Sequence, residues 1–220
     1  MLQHVWERTC QARYLTDVVI ATDDERIRTA AEDFRARVVM TRSDHASGTD
    51  RVAEAASASQ AQIIVNVQGD EPMIDPAAID AAILGLLDDE MGEVPMGTIK
   101  KRIERPADIQ DPNVVKVVTD AQGNALYFSR SPIPYARDPS DAPAYFKHIG
   151  LYVYRREFLL AYPDLPVGPL ERAERLEQLR ALENGHKIRV VETEYESLGV
   201  DTPEDWKQVA ELFEKPMVNL

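Results

Sequence analysis

The sequence is short of cysteine and glycine and has no long apolar run. Of its 220 residues, one is cysteine and 10 are glycine. Cys10 has no second cysteine in the chain to pair with, which excludes an intramolecular disulfide and favours a reducing, cytoplasmic location. The longest apolar run, residues 81–87, is too short to span a bilayer. We therefore expect no membrane insertion.

Basic residues are scarce relative to acidic ones. The chain has 25 Lys and Arg against 38 Asp and Glu, for a net charge of -13. This balance argues against a surface that coats nucleic acid, so no nucleic-acid partner is expected. It is compatible with a small anionic substrate, because such a site needs only a few local cations, helix N-termini or a metal ion. The length predicts one globular domain.

Residues 63–72 predict the centre of both the fold and the site. Four of residues 63–67 are apolar and β-branched, which is typical of a strand buried on both faces of a parallel sheet. Gln68, Gly69 and Asp70 then interrupt the strand at its carboxyl end, where ligands bind in open α/β sheets. A carboxylate in such a loop suits Mg2+, a cation that prefers oxygen ligands. A surface turn after a core strand is the alternative.

The apolar patterns of the first hundred residues alternate between strand and helix. Strands are predicted at residues 17–21, 37–40, 63–67 and 96–99. Helices are predicted at residues 1–11, 24–34, 49–56 and 76–87, with Asp23 and Asp75 as the N-caps of the second and fourth. This alternation predicts an α/β fold with a mostly parallel sheet and helices on both faces.

The pattern changes between residues 113 and 155. Two β-rich runs, at 114–119 and 125–129, flank a turn sequence at 120–124 and predict a hairpin. Residues 131–144 hold four prolines and predict a loop, and 147–154 predict another strand. We expect an antiparallel β insertion here, a sugar-binding and dimerisation subdomain within a single domain that spans residues 1–220.

The last third returns to helical patterns. Leucine and alanine recur at three-residue spacing from Leu170 to Leu182 and predict one helix, which ends at Asn184 and Gly185. Residues 188–191 predict a strand. Thr202 is the expected N-cap of a final helix. The apolar stripe of that helix comprises Trp206, Val209, Ala210 and Phe213.

Six segments, in order, resemble a known family. They are TRSDHASGTDR at 41–51, NVQGDEP at 66–72, ALYFSRSPIP at 125–134, HIGLYVY at 148–154, LEQLR at 176–180 and GVDTPED at 199–205. On these segments the chain resembles the 3-deoxy-manno-octulosonate (Kdo) cytidylyltransferases along residues 1–214. The resemblance implies a Rossmann-like nucleotidyltransferase fold and transfer of CMP from CTP to Kdo for lipopolysaccharide synthesis. It also implies Mg2+ as cofactor and a cytoplasmic homodimer.

One feature of that family is missing from this sequence. The family begins with a strand and a basic loop that wraps the CTP triphosphate, whereas residues 1–8 match the helix after that loop. The missing strand predicts a gap between the strands at 17–21 and 63–67. We expect that the chain starts at an internal methionine and that roughly 25 to 30 further residues upstream restore the strand, which is central in this fold.

The resemblance assigns roles to residues at the strand ends. Asp70 and Asp201 are expected to be the catalytic residues and the Mg2+ ligands, with plain helix capping as the alternative for Asp201. The nucleotide-binding residues implied are Ser47, Gly48, Thr49, Arg51, Gln68 and Gly69. For these, an ordinary helix cap with an exposed arginine and a turn-stabilising glutamine are the alternatives.

A second set of residues is expected to bind the sugar. It comprises Arg130, His148, Tyr154, Glu177 and Gln178. A guanidinium suits bidentate capture of the sugar carboxylate, although a lone arginine also forms surface salt bridges. His148 is expected to hydrogen-bond a sugar hydroxyl or to be structural. Glu177 and Gln178 contact sugar hydroxyls or are solvated.

Two further functions and an interface remain open at this stage. The chain can transfer CMP to another acidic sugar, of which the 8-amino analogue of Kdo is the nearest. A second alternative is that the chain is an inactive remnant that binds the nucleotide or the sugar without catalysis, because the phosphate loop is missing. The stripe from Leu170 to Leu182 and the region of Val153 are candidates for the dimer interface, and packing of that stripe on its own sheet explains it equally well.

Overall fold

The structure is a computed structural model that describes residues 1–45, 47–89, 91–138, 143–200 and 202–214. The strands are β1 Val19–Thr22, β2 Arg37–Met40, β3 Ile63–Asn66, β4 Met96–Arg102, β5 Lys116–Thr119, β6 Ala125–Ser129, β7 Phe146–Arg155 and β8 Ile188–Glu192. The helices are α1 Leu2–Thr9, α2 Glu25–Asp33, α3 Gly48–Ser57, α4 Pro76–Leu87, α5 Pro106–Gln110, α6 Arg156–Ala161, α7 Pro169–Glu174, α8 Leu179–Glu183 and α9 Pro203–Glu214. None of the described helices combines the length and the apolar character that a membrane span requires.

The strands form two sheets flanked by helices, which confirms the α/β class. β1 and β2 form a parallel pair, and a six-stranded sheet has the order β6-β5-β7-β4-β8 with β3 also paired to β7. β7 runs antiparallel to β3, β4 and β5, whereas β4 and β8 are parallel. The sheet is therefore mixed rather than mostly parallel. The antiparallel pairing expected within residues 113–155 is present, and β7 joins it to the main sheet.

The two sheets separate where the sequence predicts a gap. Among the described residues, β1 pairs with β2 alone and β3 with β7 alone. β3 thus lies at the edge of its sheet, and three of its four residues are only half-buried. The prediction of a strand buried on both faces within parallel neighbours is wrong, because the one described neighbour of β3 is antiparallel.

Aspartates cap the N-termini of α2 and α4. Asp75 caps α4 as predicted, since its carboxylate accepts the N–H of Ala77 at 2.9 Å. The cap of α2 is Asp24 rather than the predicted Asp23. The Asp23 carboxylate instead lies 3.1 Å from the guanidinium of Arg51 on α3.

The single helix predicted between Leu170 and Leu182 is two short helices. Arg175 adopts the left-handed conformation, with φ of 54°, and ends α7 before α8 begins. A three-residue spacing drifts around a helix of 3.6 residues per turn, so it cannot hold one face over four turns. Leu176 and Leu179 are buried in the core, as is Val153. At these three residues the expected dimer interface is therefore buried in the core of the protomer.

The final helix starts as predicted but buries a narrower stripe. The Thr202 hydroxyl accepts the backbone N–H of Asp205, and the Asp205 carboxylate accepts the backbone N–H of Thr202. This reciprocal pair closes the first turn of α9. Val209 is buried, whereas Trp206 is 51% exposed and Phe213 is 40% exposed. Two of the four stripe residues are thus at the surface.

Candidate active site

The loop after β3 lies beside the segment that leads into the final helix. The backbone N–H of Val200 donates to the carbonyl oxygen of Asp70 at 2.9 Å, and the Asp70 side chain is half-buried. Asp201 lies outside the described residues. The hydrogen bond nevertheless brings the two predicted acidic segments together one residue before Asp201, although 130 positions separate them in the sequence.

A second contact joins the same two segments. The carboxylate of Glu71 accepts the hydroxyl of Tyr195 at 2.6 Å through Oε2 and the hydroxyl of Ser197 through Oε1. Tyr195 is 7% exposed and packs in a core cluster with Ile74. The sequence patterns predict no role for these residues. The signal available was a carboxylate next to Asp70, but neither periodicity nor spacing identifies its partners.

Gln68 and Gly69 precede Asp70 in the same loop. Gln68 is half-buried and borders a crevice whose other wall is the β7 bulge at Gly150 and Leu151. A side chain at Gly69 would approach Leu2 on α1, whose Cδ1 lies 3.8 Å from an ideal Cβ. β-bulges are common next to active sites, where they re-aim the backbone.

The start of α3 supplies the second part of the site. Ser47 is the N-cap, since its hydroxyl accepts the N–H of Asp50 at 3.2 Å. Gly48 faces open space, and Thr49 is 4% exposed. The free amides of a helix start attract anions, so this geometry suits a phosphate or a nucleotide edge.

The guanidinium of Arg51 is directed toward neighbouring loops. It donates to Thr41 Oγ1 at 2.6 Å, in addition to its ion pair with Asp23. Arg51 therefore ties α3 to the ends of β1 and β2. Its expected contact with a nucleotide stays a prediction.

Residues from two distant segments meet against the start of α3. Burial raises the pKa of the Glu177 carboxyl, and the hydroxyls of Ser47 and Thr49 lower that pKa only in part. Glu177 Oε1 is buried and has no hydrogen-bond partner within the described ranges. Burial also raises the pKa of the Tyr154 hydroxyl, and the neighbouring Thr49 hydroxyl lowers that pKa in part. The predicted nucleotide and sugar residues are thus contiguous here.

Gln178 lies in the same cluster. It is 3% exposed, and its Oε1 accepts the hydroxyl of Tyr152 at 3.2 Å. Gln178 is therefore a buried, hydrogen-bonded residue rather than a solvated one. Tyr152 is a further member of the cluster, and the alternation of side chains along β7 places it on the same face as Tyr154.

His148 lies on β7 beside the bulge. Its Nε2 is 2.9 Å from Thr98 Oγ1, and its ring packs edge-on against Phe128. The Thr98 hydroxyl also contacts the carbonyl oxygens of Ile149 and Leu151, at 3.2 and 2.8 Å. Because that hydroxyl donates to a carbonyl, it accepts from His148 Nε2–H, which leaves Nδ1 as an acceptor. Burial lowers the pKa of His148 to about 3, so the ring is neutral.

Arg130 contacts backbone rather than open solvent. Its guanidinium donates to the carbonyl oxygens of Glu174 at 2.7 Å and Pro112 at 2.9 Å. Its own N–H donates to the Glu174 carboxylate at 3.0 Å. These contacts fix the end of β6 to α7. The predicted capture of a sugar carboxylate by Arg130 stays a prediction.

The residues at the Asp70 loop fit a bound Mg2+. No group of three or more acidic, histidine or cysteine side chains suited to a metal ion occurs in the described ranges. Mg2+ does not need such a cage, since it is usually held by one or two carboxylates together with water and substrate phosphates. Asp70 supplies one carboxylate of that kind, and Val200, which donates to its carbonyl oxygen, directly precedes Asp201 in the sequence.

The chain is similar to known proteins along nearly its whole length. The sequence model of a family described as cytidylyltransferase matches residues 1–188. A 3-deoxy-manno-octulosonate cytidylyltransferase of Solibacter usitatus is 70% identical over 97% of this chain and 84% of its own length. One of the same name from Geobacter sulfurreducens is 57% identical over 96% of this chain and 88% of its own.

Two solved structures extend the comparison. A CMP:2-keto-3-deoxy-manno-octonic acid synthetase complexed with CTP superposes with a TM-score of 0.91 and 43% identity, over 96% of this chain and 86% of that one. A 4-diphosphocytidyl-2C-methyl-D-erythritol synthase from Anaerococcus prevotii has a TM-score of 0.63 and 11% identity over 97% and 89%. The second likeness concerns the fold alone.

Proposed function

The chain belongs to the cytidylyltransferase family, among the 3-deoxy-manno-octulosonate cytidylyltransferases, and from this premise we propose how its residues carry the reaction. The enzyme transfers CMP from CTP to 3-deoxy-manno-octulosonate and releases pyrophosphate, a step of lipopolysaccharide synthesis. The observation that carries this function is the 70% identity over 97% of the chain. The alternatives of another acidic sugar and of an inactive remnant are not favoured by these relatives.

The reaction is a displacement at phosphorus. The anomeric hydroxyl of the sugar forms a bond to the α-phosphorus of CTP, the bond from that phosphorus to the bridging oxygen breaks, and pyrophosphate leaves with the electron pair. The hydroxyl proton is lost to solvent or to a neighbouring base. Negative charge grows on phosphate oxygens, so catalysis depends mainly on positioning and on charge stabilisation.

The carboxylates of Asp70 and Asp201 hold Mg2+ in this proposal. Held there, Mg2+ would supply positive charge that offsets the negative charge of the CTP phosphates. The hydrogen bond from Val200 to the Asp70 carbonyl supports the shared role, because it keeps the two acidic segments adjacent. Gln68 and Gly69 then border the nucleotide from the same loop.

The start of α3 and its neighbours bind the two substrates on adjoining surfaces. Ser47, Gly48 and Thr49 present amides and hydroxyls to the nucleotide. The Oε1 of Glu177 is suited to accept a sugar hydroxyl, which would satisfy an atom that is buried without a partner among the described residues.

Further sugar contacts come from β7 and α8 in this proposal. Gln178 offers its amide N–H groups, because its Oε1 already accepts from Tyr152. His148 offers Nδ1 as an acceptor. Tyr154 holds Thr49 in place, and Arg130 is assigned to the sugar carboxylate.

Release of pyrophosphate tests the function. The purified protein is incubated with CTP, Kdo and Mg2+, and pyrophosphate is measured with a coupled enzyme assay. We expect release that needs all three components, with the 8-amino analogue and sialic acid as poorer acceptors. A folded protein that binds CTP but releases no pyrophosphate with any of these sugars would contradict the proposal.

The homodimer and the cytoplasmic location stay predictions from the resemblance. The monomer has a mass of 24.7 kDa. Sedimentation velocity should give about twice that mass if the dimer forms, and a monomer at micromolar concentration would refute it.

A further inference from the structure

We propose that Glu71 is a positioning residue that clamps the Asp70 loop to the segment before Asp201. This inference rests on the proposed metal role of the two aspartates. Glu71 touches neither substrate nor metal in this proposal. It acts through the two segments that it joins, and Tyr195 and Ser197 are its partners.

The clamp spans a large separation in sequence with side-chain contacts alone. The Tyr195 hydroxyl donates to Glu71 Oε2 at 2.6 Å, and the Ser197 hydroxyl donates to Oε1. The partners lie 124 and 126 residues after Glu71. Both carboxylate oxygens are thus engaged by hydroxyl donors, which is why Glu71 supports the site rather than ligating a metal itself.

Few contacts in the described part of the chain join these two segments directly, although Thr193 and Glu196 also bind the segment before Asp201 to β4 and β7. Residues 193–200 form neither helix nor strand, and the loop after β3 is a series of turns. The Val200 N–H to Asp70 carbonyl bond, at 2.9 Å, is the backbone link between them. Tyr195 is buried with Ile74, so one end of the clamp is anchored in the core. Movement of Glu71 would therefore move Asp70 relative to Val200.

The chemistry of the clamp requires a carboxylate. An ionised glutamate accepts at both oxygens, and hydrogen bonds from hydroxyls to a carboxylate are short and strong. A glutamine has one acceptor oxygen and one amide N–H2 group, so one of the two hydroxyl partners loses its acceptor. Glu71→Gln therefore weakens one arm while it preserves the size of the side chain.

The test measures metal binding apart from turnover. Affinity for Mn2+ is measured by electron paramagnetic resonance, in the presence of CTP and without sugar, for Glu71→Gln, Tyr195→Phe and Ser197→Ala. The concentration of Mg2+ that gives half-maximal rate and kcat at saturating Mg2+ are measured in parallel. Mutation of a residue that orients a metal ligand typically lowers metal affinity or activity by about 10- to 100-fold.

We expect Glu71→Gln and Tyr195→Phe to weaken Mn2+ binding about tenfold and to raise the Mg2+ requirement equally. Because a clamp acts on position and not on the chemical step, kcat at saturating Mg2+ should fall less than about threefold. The double variant should be no worse than the more affected single variant, since both remove the same link.

Asp80→Asn is the matched control. The Asp80 carboxylate also ties two distant segments together, accepting the N–H groups of Arg13 at 2.9 Å and Tyr14 at 3.2 Å, but neither segment belongs to the site. Its Mn2+ affinity should be that of the wild type. An equal loss in Asp80→Asn would show that any weakened link loosens the protein, and would overturn the clamp.

Other outcomes separate the inference from the function on which it rests. Wild-type metal binding in folded Glu71→Gln and Tyr195→Phe would overturn the clamp and leave the metal role of the aspartates intact. A wild-type protein whose rate does not depend on a divalent ion would overturn both. If Glu71→Gln does not fold, Ser197→Ala removes only one donor and decides the question by the same Mn2+ titration.

Discussion

Acidification should destabilise this protein through His148, by an amount that follows from its surroundings. Burial lowers the pKa of the ring from 6.5 to about 3. A histidine with a lowered pKa contributes stability that is fully present above the pKa of the unfolded chain and is lost as the pH falls toward the native pKa. At about pH 5 the unfolded chain holds the proton and the native ring does not. The loss is about 2 kcal/mol, since one pH unit corresponds to about 1.4 kcal/mol.

Urea unfolding at about pH 7.5 and about pH 5 measures this loss. The wild type should lose about 2 kcal/mol more than His148→Gln between the two values, because the variant has no proton to take up there. Other titrating groups contribute equally to both proteins and cancel in the comparison.

Thr98→Val is the matched control for the hydrogen bond of the ring. It removes the partner of Nε2 but keeps the histidine in place. It should cost about 1 kcal/mol at both pH values and retain the wild-type pH dependence. The same pH dependence in His148→Gln as in the wild type would refute the reasoning, as would an NMR titration that puts the His148 pKa near 6.5.

Two further predictions concern carboxylates near the site. Burial raises the pKa of Glu177, so its stability contribution is present below the unfolded pKa and lost as the pH rises through the native one. Glu177→Gln should therefore raise the free energy of unfolding at neutral pH and raise the KM for the sugar about tenfold, as urea titration and kinetics would measure; an unchanged KM counts against the sugar contact. Arg180→Met should lower stability by about 3 kcal/mol in urea, because it strands the carboxylate of Glu171, which lies 2.7 Å away in a pair whose side chains are 10% and 12% exposed. The double variant Arg180→Met/Glu171→Leu should recover most of that loss, and equal losses in both would exclude a buried-pair effect.

Local chemistry made several elements of the fold predictable. Asp75 before Pro76 and Thr202 before Pro203 predict helix starts at the residues where the structure has them. The hairpin across residues 120–124 also follows from its turn residues. These signals are contained within a few neighbouring residues, so no knowledge of tertiary contacts is needed.

The failures arise where tertiary pairing decides. The direction of β7 relative to β3 cannot be derived from a β-rich run, because the same pattern suits parallel and antiparallel neighbours. The break at Arg175 requires a left-handed residue that is not glycine, which the leucine spacing concealed. The spacing of Trp206 predicts that it extends the apolar stripe, but it lies at the surface of α9.

In the candidate site too, some features follow from local sequence signals, whereas others depend on tertiary contacts. Asp70 and the start of α3 follow from their positions after a strand and at a helix cap. The sequence does not single out Glu71, because its hydrogen-bond partners Tyr195 and Ser197 lie more than 120 residues away. The cluster of Glu177 with Ser47 and Thr49 likewise depends on packing that no spacing encodes.

The central claim is that Asp70 and Asp201 hold one divalent ion against CTP. The most direct measurement is the affinity for Mn2+ in the presence of CTP, by electron paramagnetic resonance, in Asp70→Asn, Asp201→Asn and the double variant. Each single change should weaken binding by about 10- to 100-fold, with the double variant little worse than either, because the two carboxylates serve the same ion. Wild-type affinity in either folded single variant would contradict the claim.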